Sequence, residues 1–332
     1  MRAGKFVAFL ASAPLLLAMF PAPAQATISI KIAIAYDIGG RGDHGINDSA
    51  AKGVDAIKKK YGLTSLAVRE MVTNGTESDR ESRLQFLASA NYSLIVAIGS
   101  GYATAVSVVA AANPTTEFAL INDASVGNLN ITNLVFSKSD GVYLAGVLAG
   151  AATKTNKVGF LGPVSSGPNN SYFLLGVRSV NPKAIVKSVL LDKAPGNATR
   201  ALISQGTDII YSEWNSSSEV EDTVASLTTK KRPVYLIGVN PDQYFLLGKG
   251  SQQILIGAVS KRVDTAVADV MTAEINSQTI IDVLDAKAGI YGHMYTVKDG
   301  GVTIALTALG ARYSVKVSAA IAKLKSGKIK LP

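Results

Sequence analysis

The sequence of 332 residues contains no cysteine and only two histidines, His44 and His293. The lack of cysteine excludes disulfide bonds, thiolate zinc sites, cysteine nucleophiles and a lipid-modified cysteine. Two histidines are too few for the histidine-rich clusters that bind zinc. The sequence also shows no pairing of a nucleophile with a general base. We therefore expect no metal ion, no other cofactor and no enzymatic activity.

Charged residues are scarce, at 17%, whereas hydrophobic residues make up 48%, a composition that predicts a folded protein. The formal net charge is +9, but the basic residues are spread along the whole chain. No basic stripe is interleaved with aromatic residues, so nucleic-acid binding is not expected. A basic surface instead favours the neighbourhood of an anionic membrane.

Long apolar runs are absent except at the N-terminus. Arg2 and Lys5 precede the apolar stretch Phe6–Phe20, and Ala24-Gln25-Ala26 has the A-x-A pattern of a cleavage site. This order is typical of a secretory signal peptide over residues 1–26. It predicts export to the periplasm or to the outer face of the cytoplasmic membrane. The alternative is an uncleaved N-terminal anchor.

In the rest of the chain, short apolar runs alternate with longer helical patterns. The runs are almost continuously hydrophobic, as in parallel strands that are buried on both faces. The predicted strands are Ile30–Tyr36, Ser65–Met71, Ser93–Ile98, Glu117–Ile121, Leu134–Ser137, Lys157–Leu161, Ala184–Val189, Asp208–Ser212, Pro233–Val239 and Gln253–Val259. Alternation of strands and helices indicates βαβ units and parallel sheets.

The βαβ pattern runs through about five units and starts again near Lys157. This repetition predicts an α/β protein of two doubly wound parallel-sheet lobes with a cleft between them. No linker rich in Pro, Gly or Ser divides the lobes, so we expect several short crossings. We assign residues 27–136 plus 258–290 to lobe 1 and residues 137–257 plus 291–332 to lobe 2.

The loop after the first strand, residues 36–48, holds four glycines, three carboxylates and one amide. Open α/β sheets bind ligands at the carboxyl ends of their strands. Asp37 is therefore placed to accept hydrogen bonds from a base or a sugar. Asn47 can either contact the ligand or cap the following helix, and Asp48 is also a good cap.

The same loop contains G-x-G-x-x-G, from Gly40 to Gly45, between a strand and a helix. The pattern leaves open a dinucleotide-binding enzyme as an alternative. Asp43 argues against it, because its charge would repel a pyrophosphate. The loop is also longer than the tight strand-to-helix turn of that motif.

Polar and aromatic side chains follow most of the other predicted strands. Carboxylates and amides suit the hydroxyl groups of a sugar, and aromatic rings suit a flat base. The pattern predicts a neutral, polyhydroxylated ligand that carries a ring. A single tryptophan is more often a packing or surface residue than a stacking platform, and both roles stay open for Trp214. These candidate ligand-binding residues are Tyr102, Asp123, Phe173, Trp214, Asn240 and Lys261.

Several short motifs occur in an order and spacing that resemble the BMP family of basic membrane lipoproteins, the substrate-binding proteins of ABC transporters. The first loop is similar to the family pattern D-x-G-G-x-G-D-x-S-F-N-D. The resemblance extends from Lys31 to Pro332. Its other segments are Gly99–Tyr102, Asn113-Pro114, Val135–Ser137, Gly141–Gly146, Lys154–Phe160, Gly238–Gln243, Lys261–Asp264, Lys298–Val302 and Gly327–Pro332.

The resemblance implies the type 1 periplasmic binding-protein fold, a monomer, and a purine nucleoside held between the lobes. It also implies a transporter permease as the partner, through which the protein is associated with the membrane. By position, Asp37 would contact the base, Phe173 would stack on it, and Lys261 would hold the ribose hydroxyls.

Three positions depart from the family pattern. Ile46 stands where the family has Phe, Asn240 replaces an Asp, and Glu213–Ser218 replaces a glycine-rich segment. The lipobox cysteine of the family is also missing. These departures leave open a surface or sensory protein of the same fold with an altered ligand.

Overall fold

The computed structural model describes residues 30–214, 218–240 and 248–331; the predicted signal peptide, residues 1–26, lies outside them. The chain begins with β1 (Ile32–Tyr36), α1 (Ile46–Tyr61), β2 (Val68–Val72), α2 (Glu77–Ser89), β3 (Leu94–Ile98), α3 (Ala103–Ala112), β4 (Glu117–Ile121), β5 (Ile131–Phe136), α4 (Lys138–Ala152), β6 (Lys157–Gly162) and α5 (Asn169–Val180). It continues with β7 (Ile185–Leu190), α6 (Pro195–Ser204), β8 (Ile209–Ser212), α7 (Glu219–Leu227), β9 (Tyr235–Val239), α8 (Lys249–Gln252), β10 (Leu255–Lys261), α9 (Val263–Ile275), β11 (Asp282–Asp285), β12 (Ile290–Tyr295), β13 (Val302–Leu306) and α10 (Ser314–Lys325).

These strands form two sheets, which confirms the predicted α/β architecture. The first sheet has the order β11-β12-β5-β4-β3-β1-β2, and the second has the order β13-β10-β9-β8-β6-β7. All pairings are parallel except β11 with β12 and β10 with β13. In each sheet the first strand, β1 or β6, lies between two strands that follow it in the chain. The strand order therefore reverses beside β1 and beside β6, and such switch points are where open sheets bind ligands.

Strand β1 shows why the sheets are buried on both faces. Ile32, Ile34 and Tyr36 pack into the cluster that includes α1 and α9, whereas Ala33 and Ala35 face α2 and α3. Alternate side chains of a strand point to opposite faces, so helices cover the first sheet on each side. The continuous hydrophobic runs in the sequence reflect this two-sided burial.

In lobe 2, α4 is almost completely buried and crosses α5 at very short range. A Cβ atom on Gly146 would lie 2.2 Å from the Phe173 carbonyl oxygen, and one on Gly176 would lie 2.1 Å from the Tyr143 carbonyl oxygen. Only glycine allows two helix backbones to approach so closely.

Three short crossings join the lobes, as the sequence predicts. They lie at Ser137 between β5 and α4, at Arg262 between β10 and α9, and at residues 296–301 between β12 and β13. The Ser137 N–H donates to the Tyr295 carbonyl, and the Arg262 N–H donates to the Gly301 carbonyl, both at 2.8 Å. The three crossings therefore run side by side as one hinge.

The observed sheets differ from the predicted division into lobes. All of β10 lies in the second sheet, although residues 258–290 were assigned to lobe 1. All of β12 pairs with β5 in the first sheet, although residues from 291 onward were assigned to lobe 2. The hydrogen bonds of β10 and of β12 with their neighbouring strands continue to the end of each strand, so the chain stays in one sheet up to that point. The crossings therefore lie at Arg262 and after Tyr295.

The ten predicted strands correspond to β1 to β10, and the short strand β11 has no counterpart in the sequence prediction. The helix α5 is important for the site, because Phe173, which the sequence places among the side chains that follow a strand, lies inside this helix. Within residues 30–214, 218–240 and 248–331, no helix is both long and apolar enough to cross a membrane.

Candidate functional site

The carboxyl ends of the strands in the two lobes face each other across the cleft. The clearest sign is a hydrogen bond between lobes, in which the Lys261 ammonium at the end of β10 donates to Asn122 Oδ1 after β4 at 2.8 Å. Asn122 has a positive φ of 67°, a conformation that asparagine adopts more readily than most residues. The predicted Lys261 therefore lies in the cleft and touches lobe 1.

Asn47 holds the loop after β1 in place. Its buried side chain accepts a hydrogen bond from the Asp37 N–H at 3.0 Å and donates to the Asp37 and Ile38 carbonyls at 3.3 and 3.2 Å. Buried backbone groups need such partners, since an unsatisfied group costs free energy. These contacts give Asn47 a structural role in the loop, which is a third role beside the ligand contact and the helix cap that the sequence left open.

Asp43 caps α1, rather than Asn47 or Asp48, both of which lie inside the helix. The Asp43 carboxylate accepts hydrogen bonds from the N–H groups of Gly45, Asn47 and Asp48 at 2.7 to 3.1 Å. A dinucleotide pyrophosphate would bind to these same N–H groups at the start of a helix. They are already used by a carboxylate, which argues against the dinucleotide alternative.

Asp37 lies at the end of β1, at the switch point of the first sheet. Its Oδ1 atom accepts hydrogen bonds from the Ile38 N–H and from Arg80 Nη2, both at 2.9 Å. Arg80 belongs to α2 and also donates to the Gly75 carbonyl at 3.0 Å. The sequence gives no signal for Arg80, because the residue lies inside a helix and not at the end of a strand.

Two predicted ligand-binding aromatic residues are fully buried. Tyr102 donates its hydroxyl hydrogen to the Tyr36 carbonyl at 3.0 Å, inside lobe 1. Phe173 stacks on Tyr211, with ring centroids 5.4 Å apart, and packs against Phe160. In this arrangement both rings belong to the core, so neither presents a face to the cleft.

Glu213 and Trp214 follow β8, next to the switch point of the second sheet. The Glu213 carboxylate accepts hydrogen bonds from Asn169 Nδ2 at 2.8 and 3.1 Å and from the Tyr211 hydroxyl at 3.0 Å. Burial, followed by the charge of Glu213, raises the pKa of Tyr211 well above its usual value, so the hydroxyl stays protonated and donates.

Trp214 is half-buried against the apolar cluster between the second sheet and α6 and α7. Its indole N–H is buried and has no hydrogen-bond partner among the residues that the structure describes. An indole N–H without a partner is costly to bury. Trp214 therefore packs against the apolar cluster with part of its ring, and its indole N–H makes no hydrogen bond to the described residues.

Lys261 is a cationic group of the cleft. Solvent reaches its side chain, but the two lobes partly desolvate the ammonium, and this together with Lys138 lowers its pKa, while Glu213 acts in the opposite direction. Beside it, Asp123 accepts hydrogen bonds from the Ser125 backbone and hydroxyl. A ligand that donates to Asp123 must therefore compete with these local bonds.

The contacts that the structure gives for the two remaining predicted residues, Ile46 and Asn240, lie within their own lobes. Ile46 is the first residue of α1 and is half-buried against the core. Asn240 follows β9 with φ at 85°, and its N–H donates to the Val259 carbonyl at 3.0 Å. Asp37, Asp123 and Lys261 thus reach the cleft edges, whereas Tyr102 and Phe173 do not. Among the described residues, no group of three His, Asp or Glu side chains is placed to hold a metal ion.

Comparison with known proteins shows a family match over nearly the whole described chain. Residues 30–330 match the family described as PnrA-like ABC transporter substrate-binding proteins. The ABC transporter nucleoside-binding protein BmpA of Lactococcus lactis is 27% identical over 325 residues, which cover 91% of this chain and 89% of that protein. The CD4+ T-cell-stimulating antigen of Listeria innocua is 30% identical over 259 residues, which cover 73% of this chain and 72% of that one.

Solved structures confirm the fold. A solute-binding protein of an ABC transporter system from Conexibacter woesei superposes with a TM-score of 0.70 at 17% identity, covering 91% of this chain and 98% of that one. AraP, an arabinose-binding protein from Geobacillus stearothermophilus, superposes with a TM-score of 0.62 at 12% identity, covering 86% and 99% of the two chains. At these identities the likeness concerns the fold alone.

Proposed function

Since the chain belongs to the PnrA-like family of ABC transporter substrate-binding proteins, we propose that it captures a nucleoside between its lobes and delivers it to a transporter permease. The observation that supports the proposal is that Asp37 and Lys261 each lie at the carboxyl end of a strand, one in each sheet, and that Lys261 reaches Asn122 of the other lobe at 2.8 Å. A carboxylate suits the donors of a base, and an ammonium suits ribose hydroxyl oxygens.

The expected mechanism is lobe closure around the three crossings. A ligand that contacts both lobes binds the closed form more tightly and so shifts the population toward it. The direct hydrogen bond between Lys261 and Asn122 already spans the cleft, and a ligand would take its place or lie beside it. Family and fold are those of substrate-binding proteins, and the proposed mechanism includes no catalytic step.

We place the protein outside the cytoplasmic membrane. Support comes from the signal-peptide pattern of residues 1–26 and from the relatives that are named lipoproteins or basic membrane proteins. Retention at the membrane then depends on the permease or on an uncleaved N-terminus.

The first test is calorimetric titration of the protein, freed of co-purified ligand, with adenosine, guanosine, inosine, cytidine, uridine and ribose. We expect micromolar or tighter binding of at least one nucleoside and no heat from ribose. Replacing Asp37 or Lys261 by Ala should weaken binding by about 1–3 kcal/mol each, the cost of losing a charge-assisted hydrogen bond. Lys323→Ala, on the exposed side of α10, is the control and should bind like the wild type.

If no nucleoside in this panel binds, the proposed nucleoside ligand is wrong. The second candidate is then a surface or sensory protein that binds a different polar ligand, favoured by the Glu213 carboxylate in the wall of lobe 2. Titration with arabinose, glucose and galactose addresses it, because several structures of the same fold are those of sugar-binding proteins.

A further inference from the structure

Arg80 reaches from α2 to the loop after β1 and is held there by three contacts. Its Nη2 atom lies 2.9 Å from Asp37 Oδ1, its Nη1 atom donates to the Gly75 carbonyl at 3.0 Å, and its guanidinium lies 5.5 Å from the centre of the Tyr102 ring. The residue is only 9% exposed. A guanidinium fixed in this way determines how the carboxylate beside it can be used.

The two oxygens of Asp37 are in different situations. Oδ1 accepts hydrogen bonds from both the Ile38 N–H and Arg80, which uses its two lone pairs. Oδ2 has no hydrogen bond within the part of the chain that the structure describes. It lies beside Gly99 and Gly101, where a Cβ atom would come within 3.4 and 3.1 Å of it. Side chains larger than hydrogen at these two positions would therefore crowd the oxygen that is left for a ligand.

We propose that Arg80 is a positioning residue that sets ligand choice by leaving Asp37 one free oxygen. Such a carboxylate suits a ring edge with a single N–H donor. It is a poor partner for an edge with two parallel donors, because that pairing needs both oxygens. The inference rests on the proposed nucleoside function. It narrows the expected ligands of the protein to purine nucleosides without a 2-amino group.

The test compares inosine with guanosine, which differ only in the 2-amino group beside the N1–H donor. In calorimetric titration, the wild type should bind inosine at least about tenfold more tightly than guanosine. The reason is that the second donor of guanosine enters the cleft without a partner. Arg80→Gln removes the guanidinium, so that Asp37 Oδ1 can accept one further hydrogen bond. The preference for inosine over guanosine should then fall by about tenfold. A residue with a purely structural role would weaken both ligands alike.

Arg83→Gln is the matched control, because Arg83 lies on the same helix and pairs with Asp79 instead. It should leave the ratio unchanged. Arg80→Met serves as a second variant, and thermal unfolding shows whether each variant is folded. The comparison of inosine with guanosine in the wild type needs no substitution. It can therefore contradict the role of Arg80 even if a variant does not fold.

The outcomes separate the two proposals. If inosine and guanosine bind the wild type equally, or if guanosine binds more tightly, the role of Arg80 is wrong while the nucleoside function stands. An unchanged ratio in a folded Arg80→Gln protein leads to the same conclusion. If no nucleoside binds, the proposed function fails and this inference fails with it.

Discussion

The polar residues of the first loop differ in how much of each side chain is already used by the fold. The Asn47 amide and the Asp43 carboxylate bond almost entirely to backbone groups of their own loop and helix. Asp37 keeps one oxygen that has no hydrogen bond among the described residues. A polar residue at a strand end therefore becomes a ligand contact only where the loop has left it a donor or an acceptor.

Phe173 tests this distinction between the core and the cleft. We expect Phe173→Ala to lower the free energy of unfolding by about 3–5 kcal/mol, because it leaves a cavity between Phe160 and Tyr211. Phe173→Leu should cost less than about 1.5 kcal/mol and retain ligand affinity. Urea unfolding and titration of both variants provide the measurements. A stable Leu variant that has lost binding would instead show that the ring stacks on the ligand.

At the scale of elements, the pair α4 and α5 fixes the wall of lobe 2. Their backbones meet at Gly146 and Gly176, and α5 in turn places Asn169 at its first position against Glu213. The close crossing of these helices therefore places the Asn169 amide from which the Glu213 carboxylate accepts hydrogen bonds. Stability and site geometry are coupled in this lobe through a contact that contains no polar side chain.

We expect Gly146→Ala to destabilise the protein by about 1–3 kcal/mol, because the added methyl group would force the two helices apart. Gly250→Ala is the control: among the described residues, a Cβ atom there meets Ala225 alone, at 3.9 Å, and the change should alter stability by less than about 1 kcal/mol. Thermal unfolding measures both. Equal stability of the two variants would show that α5 shifts without cost.

At the scale of the whole molecule, the third crossing contains a titratable contact. His293 on β12 forms hydrogen bonds with Asp282 on β11 and with Asp299 in residues 296–301, and Asp269 lies beyond the neighbouring Tyr295. Desolvation alone would lower the pKa of His293, but the bonds to Asp282 and Asp299 outweigh it and raise the pKa. The protonated ring therefore ties the crossing to lobe 1.

The raised pKa predicts the sign of a pH effect. The stabilisation is fully present below the usual histidine pKa of about 6.5 and is lost as the pH rises through the higher pKa of the folded state. The difference in unfolding free energy between wild type and His293→Gln should therefore be largest at acidic pH and decrease toward alkaline pH. Asp282→Asn should reduce this dependence. Urea unfolding at a series of pH values measures it, and parallel profiles would contradict the contact.

The sequence by itself determined the strands β1 to β10, the two-lobe α/β architecture and the family. Continuous apolar runs such as β1 and β3 occur because both faces of a strand are buried. Two-sided burial makes every residue of a short segment apolar, so composition and spacing predict it. The same reasoning indicated which loops form the cleft, since parallel strands share one carboxyl edge. This reasoning also predicted Asp37 and Lys261, which the structure places at the carboxyl ends of β1 and β10.

Only the tertiary structure decided which side chains within those loops are available. Tyr102 and Phe173 follow strands in the chain, yet the packing of other helices and strands places their rings in the core. Arg80 pairs with Asp37 across 43 residues of sequence. The lobe boundaries near Arg262 and Tyr295 depend on hydrogen bonds between distant strands. Burial and pairing of this kind result from the whole fold, and no local pattern encodes them.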